Sequence, residues 1–278
     1  MASDLDRLFR LDNRVVIITG AMGLLGQRHA RAVAAYGGIP VLLDLQKQPL
    51  QKFAQRLAQE FAIDVGAYSV DITDEIQIAA NCHALLERYG KIDALVNNAA
   101  NNPKMEQGSD KSFSRLEYFS AQIWQQDIAV GLTGAFLCAK HYGFAMTENP
   151  AGGSIVNVAS DLGLIAPDQR LYSQADMPIE QRPVKPVTYS VVKTGLIGLT
   201  RYLATYWAEN GVRANAICPG GVENGQPQDF IERLSSRIPM NRMARVDEYQ
   251  GTLVWMLSDA SSYLNGAVVA VDGGRTAW

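Results

Sequence analysis

Seven short apolar runs alternate with longer stretches of helical periodicity, and this alternation restricts the possible folds more than any other feature of the chain. The runs are RVVIIT (14–19), IPVLLD (39–44), GAYSVD (66–71), IDALVN (92–97), GSIVNVAS (153–160), RANAICP (213–219) and AVVAVD (267–272). Helix-like segments lie around 24–36, 48–61, 75–89, 118–147, 187–210 and 247–258. A run that is apolar along its whole length reads as a strand with both faces buried, and strands separated by helices pair in parallel rather than as hairpins. The pattern predicts an α/β protein: a single doubly wound domain over residues 1–278, its mainly parallel seven-stranded sheet flanked by helices. No Pro/Ser-rich linker and no internal repeat divides it. Ligands of such sheets bind beyond the carboxyl ends of the strands, so chemistry is sought in the residues that follow each run.

Composition narrows the function classes. Hydrophobic residues make up 47% of the chain, yet no apolar run approaches membrane-spanning length, and the start, MASDLDRLFRLDNR, lacks the apolar stretch of a signal peptide. A soluble, cytoplasmic protein is expected. Formal net charge is -3 and no block of lysine and arginine stands out, which argues against nucleic acid and against a membrane surface and leaves a small-molecule partner. Cys82, Cys138 and Cys218 are isolated and read as reduced core thiols; no metal site is expected. His29, His83 and His141 are scattered in the same way.

The first run leads into TGAMGLLG (19–26), which opens a helix. Gly20 permits a tight turn, Gly23 a close backbone approach and Gly26 close helix–strand packing, leaving helix N-terminal N–H groups for a pyrophosphate. The second run ends at Asp44, at the spacing of an acid that accepts from a ribose 2′-hydroxyl. A carboxylate there repels a 2′-phosphate, and no basic residue stands inside the glycine loop to offset it, so NAD is preferred over NADP. Asp71 ends the third run, where it could accept from the adenine amino group. Asn97 and Asn98 end the fourth; buried amides need partners, so a structural network is as natural for them as a ligand contact.

Tyr189 and Lys193 are four residues apart in a helical segment and share a face. A free phenol titrates near 10, and a neighbouring lysine and a positively charged nicotinamide both favour the phenolate; a shift of about three units is worth roughly 4 kcal/mol. Tyr172 has Asp176 at the same spacing, which pushes its phenol the wrong way, so Tyr189 is the candidate acid/base. Ser160 ends the fifth run, where its hydroxyl could hold a substrate oxygen or cap the following turn.

TGxxGxxG, Asp44, NNAA, NVAS, YSVVK, CPGGV (218–222) and VDGG (271–274) occur in order, and from about residue 10 to its C-terminus the chain resembles the short-chain dehydrogenase/reductase family, in its compact single-domain branch. The resemblance implies a Rossmann fold and hydride transfer between a secondary alcohol or ketone and nicotinamide. It implies Ser160 positioning the substrate oxygen, Tyr189 as acid/base, and Lys193 binding the nicotinamide ribose while lowering the tyrosine pKa. The cofactor wall it implies comprises Thr19, Gly20, Met22, Gly23, Leu24, Leu25, Gly26, Asp44, Leu45, Asp71, Ile72, Asn98, Ala99, Ala100, Tyr189, Lys193, Pro219, Gly220, Gly221 and Val222. It further implies a homotetramer or homodimer joined through the helices near 118–147 and 187–210, where Gly134, Phe136, Gly195, Ile197 and Leu199 would suit an interface.

The chain departs from the family pattern in three places. Its glycines are spaced as in the extended branch, although only 85 residues follow Lys193, too few for that branch's substrate domain. Gly131 stands where family members carry an asparagine that shapes a helix and a water-linked proton relay. An insertion at about 168–187 falls over the expected substrate site. It carries Arg170, Tyr172, Arg182 and Lys185, whose cations suggest an anionic or polyhydroxylated substrate. IAPDQRLY (165–172) and GGRTAW resemble, more loosely, oxidoreductases of flagellin and surface-polysaccharide sugar modification, which points to a sugar derivative. The alternatives are a redox-neutral sugar-nucleotide epimerase or dehydratase with retained NAD, and a catalytically idle NAD-binding regulatory protein.

Overall fold

The computed structural model describes residues 4–101, 114–172 and 178–278. At its centre is a seven-stranded sheet: β1 (Val15–Thr19), β2 (Ile39–Asp44), β3 (Gly66–Ser69), β4 (Ala94–Asn97), β5 (Gly153–Val158), β6 (Val212–Pro219) and β7 (Val268–Val271). Their order is β3-β2-β1-β4-β5-β6-β7, and every adjacent pair is parallel, so the sheet expected to be mainly parallel is parallel throughout. The chain winds outward from β1 to β3, returns to the other side of β1 for β4, and winds outward again to β7. The order therefore reverses between β1 and β4, and a crevice opens there at the carboxyl ends.

Alternation along each buried strand feeds two separate cores. Val16, Ile18, Leu42, Val96, Val156 and Ile217 point to one face. Val15, Ile17, Val41, Leu43, Leu95 and Ile155 point to the other. The first face is covered by α1 (Leu24–Ala35), α2 (Lys47–Phe61) and a late helix, Gln250–Leu257, through residues such as Val33, Leu50, Phe53 and Leu253. The second is covered by α3 (Glu75–Tyr89), α4 (121–146) and α5 (Val187–Tyr206). Fully burying one valine, leucine or isoleucine side chain is worth about 1.5–3 kcal/mol, and each face holds many, which is why uninterrupted apolar runs form the middle of this sheet. Local chemistry sets the helix ends. Asp74 accepts from the backbone N–H groups of Ile76 and Gln77 at the start of α3, and Gly90 closes it at φ +74°.

The segment read as one helix over 118–147 is more broken than its periodicity suggests. Leu116–Tyr118 is a separate 3-10 turn, Ser120 caps the helix proper, and two π-type turns, Ala129–Thr133 and Ala139–Gly143, interrupt it. Two helices went unanticipated: the five-residue Asp4–Leu8, and α6 (Gln228–Ser235), after which Gln250–Leu257 becomes α7. Of the five residues suggested for an interface only Phe136 is exposed. Gly134 packs on Ile72, Ile197 is buried, and Gly195 and Leu199 are half-buried.

Gly131 sits in the first π turn, facing α5. A Cβ there would lie 2.6 Å from Val192 Cγ1, so α5 fills the space that a side chain at 131 needs. Gly131→Asn is expected to lower the thermal unfolding midpoint through overpacking worth about 1–3 kcal/mol. Adding Val192→Ala should recover most of that loss, whereas an unchanged midpoint in the single variant would contradict this packing.

Candidate functional site

The loops after β1 to β6, with α6 and the C-terminal segment, surround a cavity of about 1060 Å³. Its wall runs from Gly20 and Met22 past Asp44, Asp71 and Asn98 to Ser160, Tyr189 and Lys193, and on to Pro219–Val222 and Phe230. This single hollow is large enough to take an extended ligand and a second, smaller one.

One end of it is built on the parted strands. Thr19 Oγ1 accepts from the backbone N–H groups of Asn98 and Ala99 at 3.0 and 3.1 Å, while Asn98 Nδ2 donates to the carbonyls of Thr19 and Gly20, both at 3.0 Å. Gly20 has φ +61°, and a Cβ on it would lie 2.8 Å from Ala99 Cα; glycine alone fits. A Cβ on Gly26 would lie 2.3 Å from the Gly20 carbonyl oxygen. Thr19 and Gly26 therefore stand behind the wall, bracing the loop, whereas Gly20, Met22, Gly23, Leu24 and Leu25 line it. Asp44 accepts from the Met22 N–H at 2.9 Å and the Gln46 N–H at 3.2 Å, so its carboxylate also holds the glycine loop. Leu45, Asp71, Ile72, Asn98, Ala99, Ala100 and Pro219 to Val222 all reach the cavity. Asn97 does not: its amide donates to Ala135 O and Asn157 Oδ1, and Asn157 in turn donates to Thr200, a network that ties β4 and β5 to the helices beneath.

At the other end the end of β5 and the first two turns of α5 meet. Ser160 Oγ donates to Asp161 Oδ1 at 2.8 Å, accepts from the Leu162 N–H at 3.2 Å, and stands near enough to the Tyr189 phenol to favour its ionised form. The serine is thus both a cap and a neighbour of the tyrosine. Lys193 Nζ donates to Val158 O at 2.7 Å. Burial brings the Lys193 ammonium down to about 8, with Lys185 adding to the fall and Cys218 opposing it.

Two expectations are corrected here. Tyr189 is raised above its ordinary value, not lowered: burial dominates, the Ser160 hydroxyl pulls back, and the nearby Asp161 carboxylate adds to the rise. Arg170 turns away from the cavity, pairs with Asp168 at 2.8 Å and has an 82% exposed side chain, and Arg182 is likewise absent from the wall. Tyr172 does line the cavity, 5.7 Å from Phe230 between ring centres, but Asp176, invoked against it, lies outside the described residues; burial itself raises the Tyr172 phenol.

Several wall residues escaped the sequence reading. Asp161 and Arg275 form a buried pair at 2.6 Å, their side chains 3% and 8% exposed. Lys185, already named among the cations of 168–187, does line the cavity; what the sequence did not signal is that its ammonium lies 3.8 Å from the centre of the Tyr189 ring. Phe230 and Arg233 belong to α6, where Arg233 pairs with Asp229 at 2.7 Å and donates to Leu171 O at 3.1 Å. Arg237, two residues beyond α6, ties the same stretch down a second time by pairing with Asp168 at 2.6 Å. The signal for Arg275 was present in GGRTAW, but nothing local marks its partner 114 residues away. The three cysteines are free and buried, which raises each thiol.

Comparison with known proteins agrees with this geometry. Residues 20–276 match the family model described as enoyl-(acyl carrier protein) reductase, one of the short-chain dehydrogenase group. The chain is 33% identical to meso-2,3-butanediol dehydrogenase of Serratia marcescens over 273 residues, 96% of each chain. It is also 33% identical to an NADP-dependent mannitol dehydrogenase of Hypocrea jecorina over 277 residues, 97% of this chain and 94% of the relative. The structure superimposes on a gluconate 5-dehydrogenase from Burkholderia cenocepacia, in complex with NADP and tartrate, with a TM-score of 0.85 at 28% identity over 99% of both chains. With its parallel sheet, glycine loop and strand-end cavity, the chain belongs to the short-chain dehydrogenase/reductase family, oxidoreductases acting on CH–OH groups.

Proposed function

We propose that this protein is an NAD-dependent dehydrogenase or reductase of a secondary alcohol or ketone on a polyol or sugar derivative. The observation that carries this reading is the meeting of Ser160, Tyr189 and Lys193 on one wall of the cavity that begins at the glycine loop. The residues present fit a dinucleotide. The turn at Gly20 leaves no room for a Cβ, the first turn of α1 faces the cavity through Gly23, Leu24 and Leu25, and Asp44 ends β2 beside them with no cation among its wall neighbours Leu43, Leu45 and Gln46. Bound nicotinamide would supply the hydride acceptor or donor. The chain supplies the rest: Asp44 takes a ribose hydroxyl, Lys193 reaches the nicotinamide ribose, Ser160 holds the substrate oxygen, and Tyr189 removes or returns the proton on that oxygen. The carbohydrate class rests on relatives named for butanediol, mannitol and gluconate, and on a wall that joins the aromatics Tyr172 and Phe230 to polar Asn224, Gln226 and Asp229.

The reading is tested by the absorbance of NADH formed with NAD and a panel of polyols, sugars and sugar acids. Tyr189→Phe should lower kcat/KM for the accepted substrate by about 10²–10⁴-fold, the range of a lost acid/base group. Full turnover in that variant would remove Tyr189 from the chemistry, and a protein that retains NAD yet never accumulates NADH would favour the redox-neutral alternative.

We also propose a cytoplasmic homotetramer or homodimer joined through α4 and α5, because Phe136, Phe144, Tyr202 and Tyr206 are large exposed side chains on these two helices. Light scattering should return a multiple of the 30.3 kDa chain mass; the monomer mass would contradict the assembly.

A further inference from the structure

The insertion places a lysine against the tyrosine. Lys185 stands two residues before α5, and its ammonium lies 3.8 Å from the centre of the Tyr189 ring, nearer than that of Lys193 at 5.8 Å. Its backbone N–H donates to Gln169 Oε1 at 2.8 Å, and that of the preceding Val184 donates to Ser114 Oγ at 3.0 Å, so the segment bearing it is tied to two other parts of the chain. A cation this close to an aromatic face is attracted by the ring, and attracted far more once the phenol carries a full negative charge. We propose that Lys185 is a second cation for Tyr189, a positioning residue brought by the insertion that works with Lys193 to hold the phenolate. The inference rests on Tyr189 being the acid/base of the proposed reaction.

The other groups around the phenol define what Lys185 must offset. From the end of β5 come Ser160, whose hydroxyl favours the phenolate, and the Asp161 carboxylate, which opposes its ionisation and is itself paired with Arg275. Tyr172, on the same cavity wall, and Tyr249 before α7 are further phenols whose ionisation opposes that of Tyr189. On the α4 side, Asp127 accepts from Thr188 at 2.5 Å beside Lys193 and Tyr189. Cys218 lies near Lys193. Burial and Asp161 both disfavour the phenolate, and a second ammonium is the feature on the insertion side that favours it. Burial brings Lys185 down to about 8 against the upward pull of Asp161 while the phenol is neutral; a phenolate 3.8 Å below it holds the ammonium proton in place, so the two titrate as a coupled pair in which the first proton lost leaves phenolate and ammonium together.

The test is a pH titration of tyrosinate absorbance on the NAD-saturated protein, each chain read against the same chain carrying Tyr189→Phe so that the difference reports Tyr189 alone. Lys185→Met should move the Tyr189 transition to higher pH by about one unit or more, the effect of losing an opposite charge at this range. Lys185→Arg, which keeps its charge at every working pH, should leave the transition at or below the wild-type position. An unmoved transition in the methionine variant overturns the inference, and so does an equal upward move in both variants, because charge would then not be the cause. Turnover that survives Tyr189→Phe would sink the acid/base reading instead, and the titration would still report on Lys185.

Discussion

The structure depends on the parting of β1 and β4 at their carboxyl ends. Neighbouring parallel strands share a ladder of hydrogen bonds, but where the winding reverses, the loops that follow go to opposite faces and the ladder has nothing to continue into. Thr19 and Asn98 stand in for it, stitching the two ends together with four hydrogen bonds between side chain and backbone. Gly20 can then lie against Ala99 with no side chain between them, which sets the loop backbone at the mouth of the crevice. Asp44 fixes the same loop from β2 through the Met22 N–H. What looks like a row of ligand contacts is first of all a rigid corner, and a preformed corner is what lets a flexible dinucleotide bind without ordering its site.

The end of the cavity at Ser160 and Tyr189 obeys a different constraint. Lys193 and the Asp161–Arg275 pair are withdrawn from water and Tyr189 is half-buried at the cavity wall, and each charge is costly there unless another answers it. Arg275 from the C-terminal segment answers Asp161, and Asp161 accepts from Ser160. The lysines come down and the phenol goes up for one reason, burial, and the balance among them is a property of the group rather than of any one residue. Residues 168–172 and Lys185 belong to this end: Asp168 pairs with Arg237 just beyond α6, Leu171 and Tyr172 meet Arg233 and Phe230 of α6, and Lys185 lies over the tyrosine.

Much of this was legible in the sequence because the physics is local or periodic. Strands buried on both faces must be apolar throughout, so seven runs stood out and seven strands are present, with ends differing by a few residues. Tyr189 and Lys193 were found from a four-residue spacing on one helix. What escaped depends on distance or on packing. Asp161 and Arg275 are far apart in sequence, the π turns of α4 arise where Gly131 and Gly143 meet α5 and Trp207, and α6 is a short polar helix whose few apolar residues cover a cavity rather than a sheet. Arg170 was misread because charge counts in a loop ignore near neighbours, and Asp168, two residues away, had already engaged it. The direction at Tyr189 was misread because spacing shows the lysine but not how far the phenol is buried.

The most direct measurement is the affinity of the purified protein for NAD and for NADP by titration calorimetry, which needs no knowledge of the substrate. If the corner at Gly20, Ala99 and Asp44 is the cofactor cradle described here, NAD binds and NADP binds more weakly, because a 2′-phosphate would be set against the Asp44 carboxylate. NADP binding as tightly as NAD, or neither binding, would contradict the account.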